Sequence, residues 1–145
     1  MTLFKKSWVW LLCCTLFLIS CESTSEKKKE YDELFHQVLD IHDEVMPKMV
    51  EIPALKKELE TIADTSAAAE KYRNAATKLE EGDRLMMDWM HSFSDEFVKG
   101  KAELQKMNNQ QLQERIDAIT AELEDVKLMR DQVNSSIENA KELTE

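Results

Sequence analysis

The side chains with the clearest metal-binding chemistry are methionines and histidines in two separate segments. His42 and Met46 are four residues apart, so they share one face of a helix. Met86 and Met90 have the same spacing in the second segment. An antiparallel hairpin that turns near residues 64 and 65 pairs residues whose numbers sum to roughly 129, which brings the two segments together. Thioether and imidazole ligands suit Cu(I), so the sequence predicts a candidate copper site.

A structural role explains the same methionines without a metal. Methionine fills irregular gaps in helical cores, and a helical chain with eight methionines needs no metal. The heptad pattern of the second segment turns Met86 inward and Met90 to the flank, whereas Met87 and His91 point largely outward. Side chains that point in these different directions do not easily converge on a single metal ion as four ligands. We therefore expect core packing first and keep the copper site as the alternative.

Catalysis and nucleic-acid binding find little support in the residues or the composition. Asp40, Asp43 and Glu44 lie near His42, but carboxylates on an exposed helix face are ordinary. No serine or histidine has the setting of a nucleophile, and two glycines cannot form a phosphate-binding loop. The net charge of -10 lacks the clustered positive charge that phosphate binding needs. We expect neither an enzyme nor a nucleic-acid-binding protein.

Cys21 is another residue with a specific chemistry. It follows an apolar run that is preceded by two lysines, Lys5 and Lys6. The run from Ser7 to Ile19 is shorter than the ~20 residues of a membrane-spanning helix, so it indicates a signal peptide. The residues Leu18-Ile19-Ser20-Cys21 resemble the lipobox of bacterial lipoproteins. That resemblance implies cleavage before Cys21, diacylglycerol on its thiol and acylation of the new amine. The covalent lipid is the only cofactor that we expect, and it anchors the chain to a membrane.

Processing at this site would leave Cys21 as the only cysteine, so the mature chain would have no disulfide. An ordinary cleaved signal peptide or an uncleaved anchor is the alternative. Residues 22–30 are polar and without periodicity, which predicts a flexible tether. Glu22 resembles an outer-membrane sorting signal, and Lys27 to Lys29 departs from the acidic tract of surface-exported lipoproteins. We therefore expect an outer-membrane lipoprotein that faces the periplasm.

Apolar residues recur at helical spacing through the rest of the chain. The first helix is predicted over 31–62 as one bent helix, because the spacing keeps its phase across Pro47 and Pro53. The second helix is predicted from Ala67 to near Phe97. The third follows a capping-box pair, Asn108 and Gln111, and carries a regular inward row. That row is Leu112, Ile116, Ile119, Leu123, Val126, Val133, Ile137 and Ala140.

These helices predict an all-α chain, with an antiparallel three-helix bundle over 31–145. A cleaved signal peptide at 1–20 and a lipidated tether at 21–30 precede it. The alternative is an extended coiled coil that oligomerises through the third helix. The predicted function is a non-catalytic structural or interaction module of the cell envelope, in contact with the membrane and with a protein partner or a second copy. Periplasmic copper handling by the first hairpin is the alternative function.

Two short segments carry a resemblance to a known group of proteins. They are the residues HDEVMPKM over 42–49 and MMDWMHSF over 86–93, both behind the lipobox. They resemble a group of small helical lipoproteins from Bacteroidota that are labelled "viral A-type inclusion protein". The resemblance implies a location in the cell envelope and a helical fold. It implies no established activity.

Overall fold

A computed structural model describes residues 23–145, and this part of the chain folds into helices with no strand. The all-α prediction is confirmed, although residues 23–145 form four α-helices where three were predicted. A π-helical segment, Ser94–Val98, and a 3-10 helix, Lys101–Lys106, join the last two. The α-helices are α1 (Thr24–Met49), α2 (Ile52–Thr65), α3 (Ala69–Phe93) and α4 (Asn109–Thr144). The predicted signal peptide and Cys21 lie outside the described residues.

Helix α1 begins seven residues before its predicted start, so the prediction of a flexible tether is wrong for residues 24–30. Ser23 and Glu26 form a capping box: the Ser23 hydroxyl accepts from the Glu26 N–H, and the Glu26 carboxylate accepts from the Ser23 N–H. The Thr24 hydroxyl also donates to the Asn109 side chain at 2.5 Å. The polar sequence therefore forms a helix because its side chains cap it and bond to α4.

The predicted bent helix is two helices, because α1 ends at Met49 and α2 begins at Ile52. Pro53 lies in the first turn of α2, where its missing N–H is not needed. The backbones of Val50 and Glu51 remain in the right-handed helical region, with φ/ψ of -65°/-18° and -81°/-24°. This near-helical connection explains why the apolar spacing keeps its phase across a real break.

Helix α4 packs against all three other helices and runs parallel to α1. Near its beginning Asn109 bonds to Thr24, and near its end Asn134 bonds to Lys48. Helix α3 runs antiparallel to α2, as two pairs show: Lys56 with Glu80 at 2.7 Å and Asp64 with Arg73 at 3.7 Å. The inward row predicted for α4 is confirmed, since each of its eight members is buried. The predicted capping box at Asn108 is also present.

Small side chains let α3 and α4 approach each other closely near Gly82. A Cβ atom at Gly82 would lie 3.2 Å from the Ser136 hydroxyl oxygen and 3.7 Å from the Val133 Cα. Ser136 is buried there, with its hydroxyl donating to the Val133 carbonyl at 2.8 Å. Large rings instead separate α1 from α3, and the candidate site lies in that wider interface.

Candidate functional site

His42 lies on α1 and faces α3, where three groups surround its imidazole. Its Nε2 atom is 3.3 Å from the Met90 Sδ, and its Nδ1 atom is 2.9 Å from an Asp43 carboxylate oxygen. The Trp89 ring stacks beside it, with centroids 5.6 Å apart and planes inclined by 27°. The histidine is therefore held between a carboxylate, a thioether and an aromatic face.

Trp89 belongs to a column of aromatic rings that fills the space between α1 and α3. Trp89 stacks on Phe93 at 5.0 Å, and Phe93 stacks on Phe97 at 5.3 Å. From α1, Phe35 reaches Phe93 at 5.4 Å and also packs against Tyr31. Aromatic pairs at these distances add stabilisation beyond the area that they bury. The column fixes the Trp89 ring and, through it, the orientation of His42.

The structure divides the four predicted copper ligands among different environments. Met86 is 1% exposed and belongs to the core, whereas Met46 is 36% exposed. Met90 is half-buried and is the methionine that contacts His42. Of the four predicted ligands, the structure brings His42 and Met90 into direct contact, places Met86 in the core and leaves Met46 at the surface one turn after His42.

The orientations predicted within the second segment are confirmed. Met86 points inward, Met90 is intermediate, and Met87 and His91 are exposed. The predicted hairpin register placed His42 level with Met87, three residues from its observed neighbour. The turn at residues 66–68 comes slightly later than predicted, which moves the facing residues along α3.

Sequence reasoning missed two partners of His42, namely Trp89 and Asp43. Trp89 is three residues after Met86, so the helical spacing predicts a buried position for it, next to the candidate ligand Met90. Asp43 was treated as a solvated surface carboxylate, and its side chain is indeed exposed. A carboxylate next in sequence to a histidine was the available signal. Its bond to the ring depends on a side-chain rotamer that spacing does not specify.

Other clusters of polar side chains do not form a comparable site. Glu44 pairs with Lys48 at 3.3 Å on the exposed side of α1, and Asp40 is also exposed. Within residues 23–145, no three His, Cys, Asp or Glu side chains are grouped so that they could hold a metal ion.

Two buried polar atoms border the aromatic column without a hydrogen bond of normal geometry: the Tyr31 hydroxyl and the Trp89 Nε1. The Glu122 carboxylate lies near the Trp89 N–H, and burial raises the pKa of Glu122. Burial likewise raises the pKa of Tyr31, which the nearby Arg115 guanidinium partly offsets. Both rings therefore present a polar edge toward an ionisable side chain of α4.

An open groove of about 380 Å³ runs between α3 and α4 on the other side of Trp89. Leu128 lines it and is 68% exposed, next to Leu85 and the carboxylates of Asp88 and Asp125. The other exposed large apolar side chains of the described region are distributed over separate elements. They are Met46, Val50, Met87 and Val98.

One end of the molecule is basic, unlike the rest. We define the end cap as residues 23–29 and 99–109, which meet through bonds such as Lys28 Nζ to the Gln105 carbonyl at 3.2 Å. The end cap contains six lysines and two glutamates, a net charge of +4. Residues 30–98 and 110–145 contain 11 basic and 26 acidic residues, a net charge of -15. The positive charge is thus concentrated at the start of α1.

Comparison with protein-family models, with curated proteins and with solved structures finds no match to this chain. The resemblance to Bacteroidota lipoproteins accordingly stays a prediction. Among residues 23–145, no helix is both long and apolar enough to cross a membrane.

Proposed function

We propose that this chain is a lipid-anchored, non-catalytic structural module of the bacterial cell envelope, with its end cap against the membrane surface. The observation that carries the proposal is the start of α1 at Thr24, only three residues after Cys21. Three extended residues span at most about 10 Å. A lipid on Cys21 would therefore hold the end cap at the level of the phospholipid headgroups.

The charge distribution supports this orientation. A lysine near an anionic lipid surface contributes about 1 kcal/mol of attraction, and the end cap has six. The strongly acidic remainder of the chain would be repelled by the same surface. Attraction at one end and repulsion along the sides favour a molecule that stands on the membrane rather than lying on it.

The packing supports a structural role for the part that projects from the membrane. Helix α4 has 36 residues, which corresponds to a length of about 54 Å. In this proposal α1 with α2, α3 and α4 form the three layers of an antiparallel bundle. The bundle extends from the outer membrane into the periplasm.

The alternative to a purely structural role is an interaction role, in which the chain binds a protein partner or a second copy of itself. Such binding uses a contiguous apolar surface, typically several hundred Å² in area. Within residues 23–145 the exposed apolar side chains are scattered, and the groove beside Leu128 is flanked by carboxylates. These features favour a structural role over association through an apolar face.

Metabolic labelling with a palmitate analogue tests the anchor. The wild-type chain should incorporate label and be cleaved before Cys21, whereas Cys21→Ala should remain an unlabelled, uncleaved precursor. Cys14→Ala is the matched control, because Cys13 before it is too large for the position preceding the cut, and it should label like the wild type. Equal labelling of wild type and Cys21→Ala would refute the proposal.

Lysine acetylation of the lipidated chain in vesicles tests the orientation. Adding phosphatidylglycerol to phosphatidylcholine vesicles should protect Lys28, Lys29 and Lys106 of the end cap from the reagent. Lys57 and Lys71, near the turn between α2 and α3, serve as internal controls and should react equally in both vesicles. Salt should remove the protection, because it screens surface charge. Equal labelling of the end-cap lysines in both vesicles would contradict the proposed orientation.

A further inference from the structure

The contact between His42 and Met90 brings two electron-pair donors face to face. The His42 Nδ1 atom is 2.9 Å from a carboxylate oxygen of the exposed Asp43. A carboxylate can only accept a hydrogen bond here, so the proton of this bond belongs to Nδ1. In the neutral imidazole this leaves a lone pair on Nε2, which points at the Met90 sulfur from 3.3 Å. A thioether has no proton to donate. A soft metal ion between the two atoms would accept both lone pairs.

We propose that His42 and Met90 bind Cu(I) and thereby link α1 to α3. A soft monovalent ion accepts imidazole nitrogen and thioether sulfur together. Metal-binding histidines commonly donate their second ring N–H to a carboxylate, and Asp43 occupies that position. The pair therefore has both the ligand atoms and the supporting hydrogen bond of a metal site.

The observed distance is compatible with a bound ion. Metal–nitrogen and metal–sulfur bonds of about 2.0 and 2.3 Å would meet at an angle of roughly 100° if Nε2 and Sδ stayed at their present separation. Such a bent arrangement leaves one coordination position open. The flexible Met90 side chain can also withdraw to widen the angle. No rearrangement of the helices is needed.

Met46 is the side chain best placed to fill the open position. It lies one helical turn after His42 on α1, and its 36% exposure leaves its thioether free to change rotamer. Met86 is excluded from this ligand set because it is packed in the core. The proposed set is thus His42 and Met90, with Met46 as the third ligand.

Trp89 provides the remaining wall of the site. Its ring stacks beside His42 and is held in turn by Phe93. An aromatic face excludes water and interacts favourably with a cation. Because this site lies on α1 and α3 and not in the end cap, the proposal stands or falls independently of the lipid anchor.

The test is a Cu(I) titration of the full chain in detergent, with bicinchoninate as the competing ligand. Cys13→Ser, Cys14→Ser and Cys21→Ser remove the thiols of this chain, which would compete for Cu(I). Trp8→Phe and Trp10→Phe make Trp89 the only tryptophan, so that its fluorescence reports on the site. We expect one equivalent of Cu(I) to bind and to quench Trp89. His42→Ala and Met90→Leu should each weaken binding at least tenfold, and Met46→Leu should weaken it less.

Met90→Leu is the decisive variant, because this volume-conserving substitution removes the sulfur and keeps the packing. Met87→Leu is its matched control, since Met87 lies one turn before Met90 on the same helix and is 45% exposed. Thermal unfolding without metal should show that both variants are folded. Absence of Cu(I) binding, or equal binding by the wild type and Met90→Leu, would overturn the proposal. Zn(II) that binds as tightly and is lost in the same variants would overturn the assignment to a soft ion.

Discussion

Two interfaces of the molecule differ in the residues that form them. Along α4, aliphatic side chains such as Ile119 and Val126 repeat at regular spacing and are fully buried. Between α1 and α3, stacked rings fill a wider space, and His42, Met90 and the Trp89 N–H bring polar atoms into it. A regular aliphatic interface contributes stability and little chemistry. The irregular aromatic interface contains the groups that can bind a ligand.

The largest expected effect is on the aliphatic interface. Ile119→Asp should destabilise the fold by about 4 kcal/mol or more, because it buries an unpaired charge in the row of α4. Ala121→Asp, two residues later at an exposed position, is the control and should change stability by less than about 1 kcal/mol. Urea unfolding followed by circular dichroism measures both. Similar losses in the two variants would show that α4 is not packed as described.

Urea unfolding also distinguishes packing of α4 within one chain from the alternative, a coiled coil that associates through α4. The free energy of unfolding of the wild type should be independent of protein concentration if α4 packs within one chain. A midpoint that rises with concentration would instead indicate association through α4, since binding between copies stabilises by mass action.

An intermediate effect distinguishes two methionines that the sequence grouped together. Met86→Ala should cost roughly 2 to 5 kcal/mol without any metal, because it leaves a cavity in the core. Met46→Ala should cost less than about 1 kcal/mol, because its side chain is already partly in solvent. Thermal and urea unfolding of the metal-free variants measure the difference. Equal costs would place Met46 in the core with Met86 and remove it from the proposed ligand set.

The smallest expected effect concerns the polar edge of the aromatic interface. Burial raises the pKa of Glu122 in the folded state, so the folded chain binds a proton more readily than the unfolded chain. This contribution destabilises at neutral pH and is relieved as the pH falls through the raised folded pKa toward the ordinary glutamate value of 4.5. Glu122→Gln should therefore stabilise by a few tenths of a kcal/mol at pH 7, and this gain should vanish near pH 4.

Urea midpoints at the two pH values measure that gain. Glutamine retains an oxygen that faces the Trp89 N–H, so the substitution changes mainly the charge. Glu124→Gln is the control on the same helix: Glu124 is exposed and pairs with Lys127 at 2.7 Å, and its replacement should bring no gain at pH 7. A gain for Glu122→Gln that persists at pH 4 would contradict the effect of burial on its pKa.

Much of the helical fold could be predicted from local patterns. The inward row of α4 and the capping box at Asn108 depend on spacing within a few turns, and both are confirmed. The predicted tether was wrong for residues 24–30 because a local capping box, Ser23 with Glu26, starts α1 there and because Thr24 also bonds to Asn109, a residue 85 positions away. Hydrogen bonds between distant residues are not visible in a local composition.

The candidate site likewise combines features that local sequence patterns predict with contacts that depend on distant residues. The sequence by itself determined the all-helical class, the inward and outward faces of α3 and the residue types that could bind a soft metal. Only the tertiary structure decided that His42 meets Met90 rather than Met87 and that Trp89 stacks beside it. A face is set by the period of one helix, which is a property of adjacent residues. Contact across two helices depends on the position of the turn and on the size of the rings between them, and a shift of three residues exchanges one methionine for another.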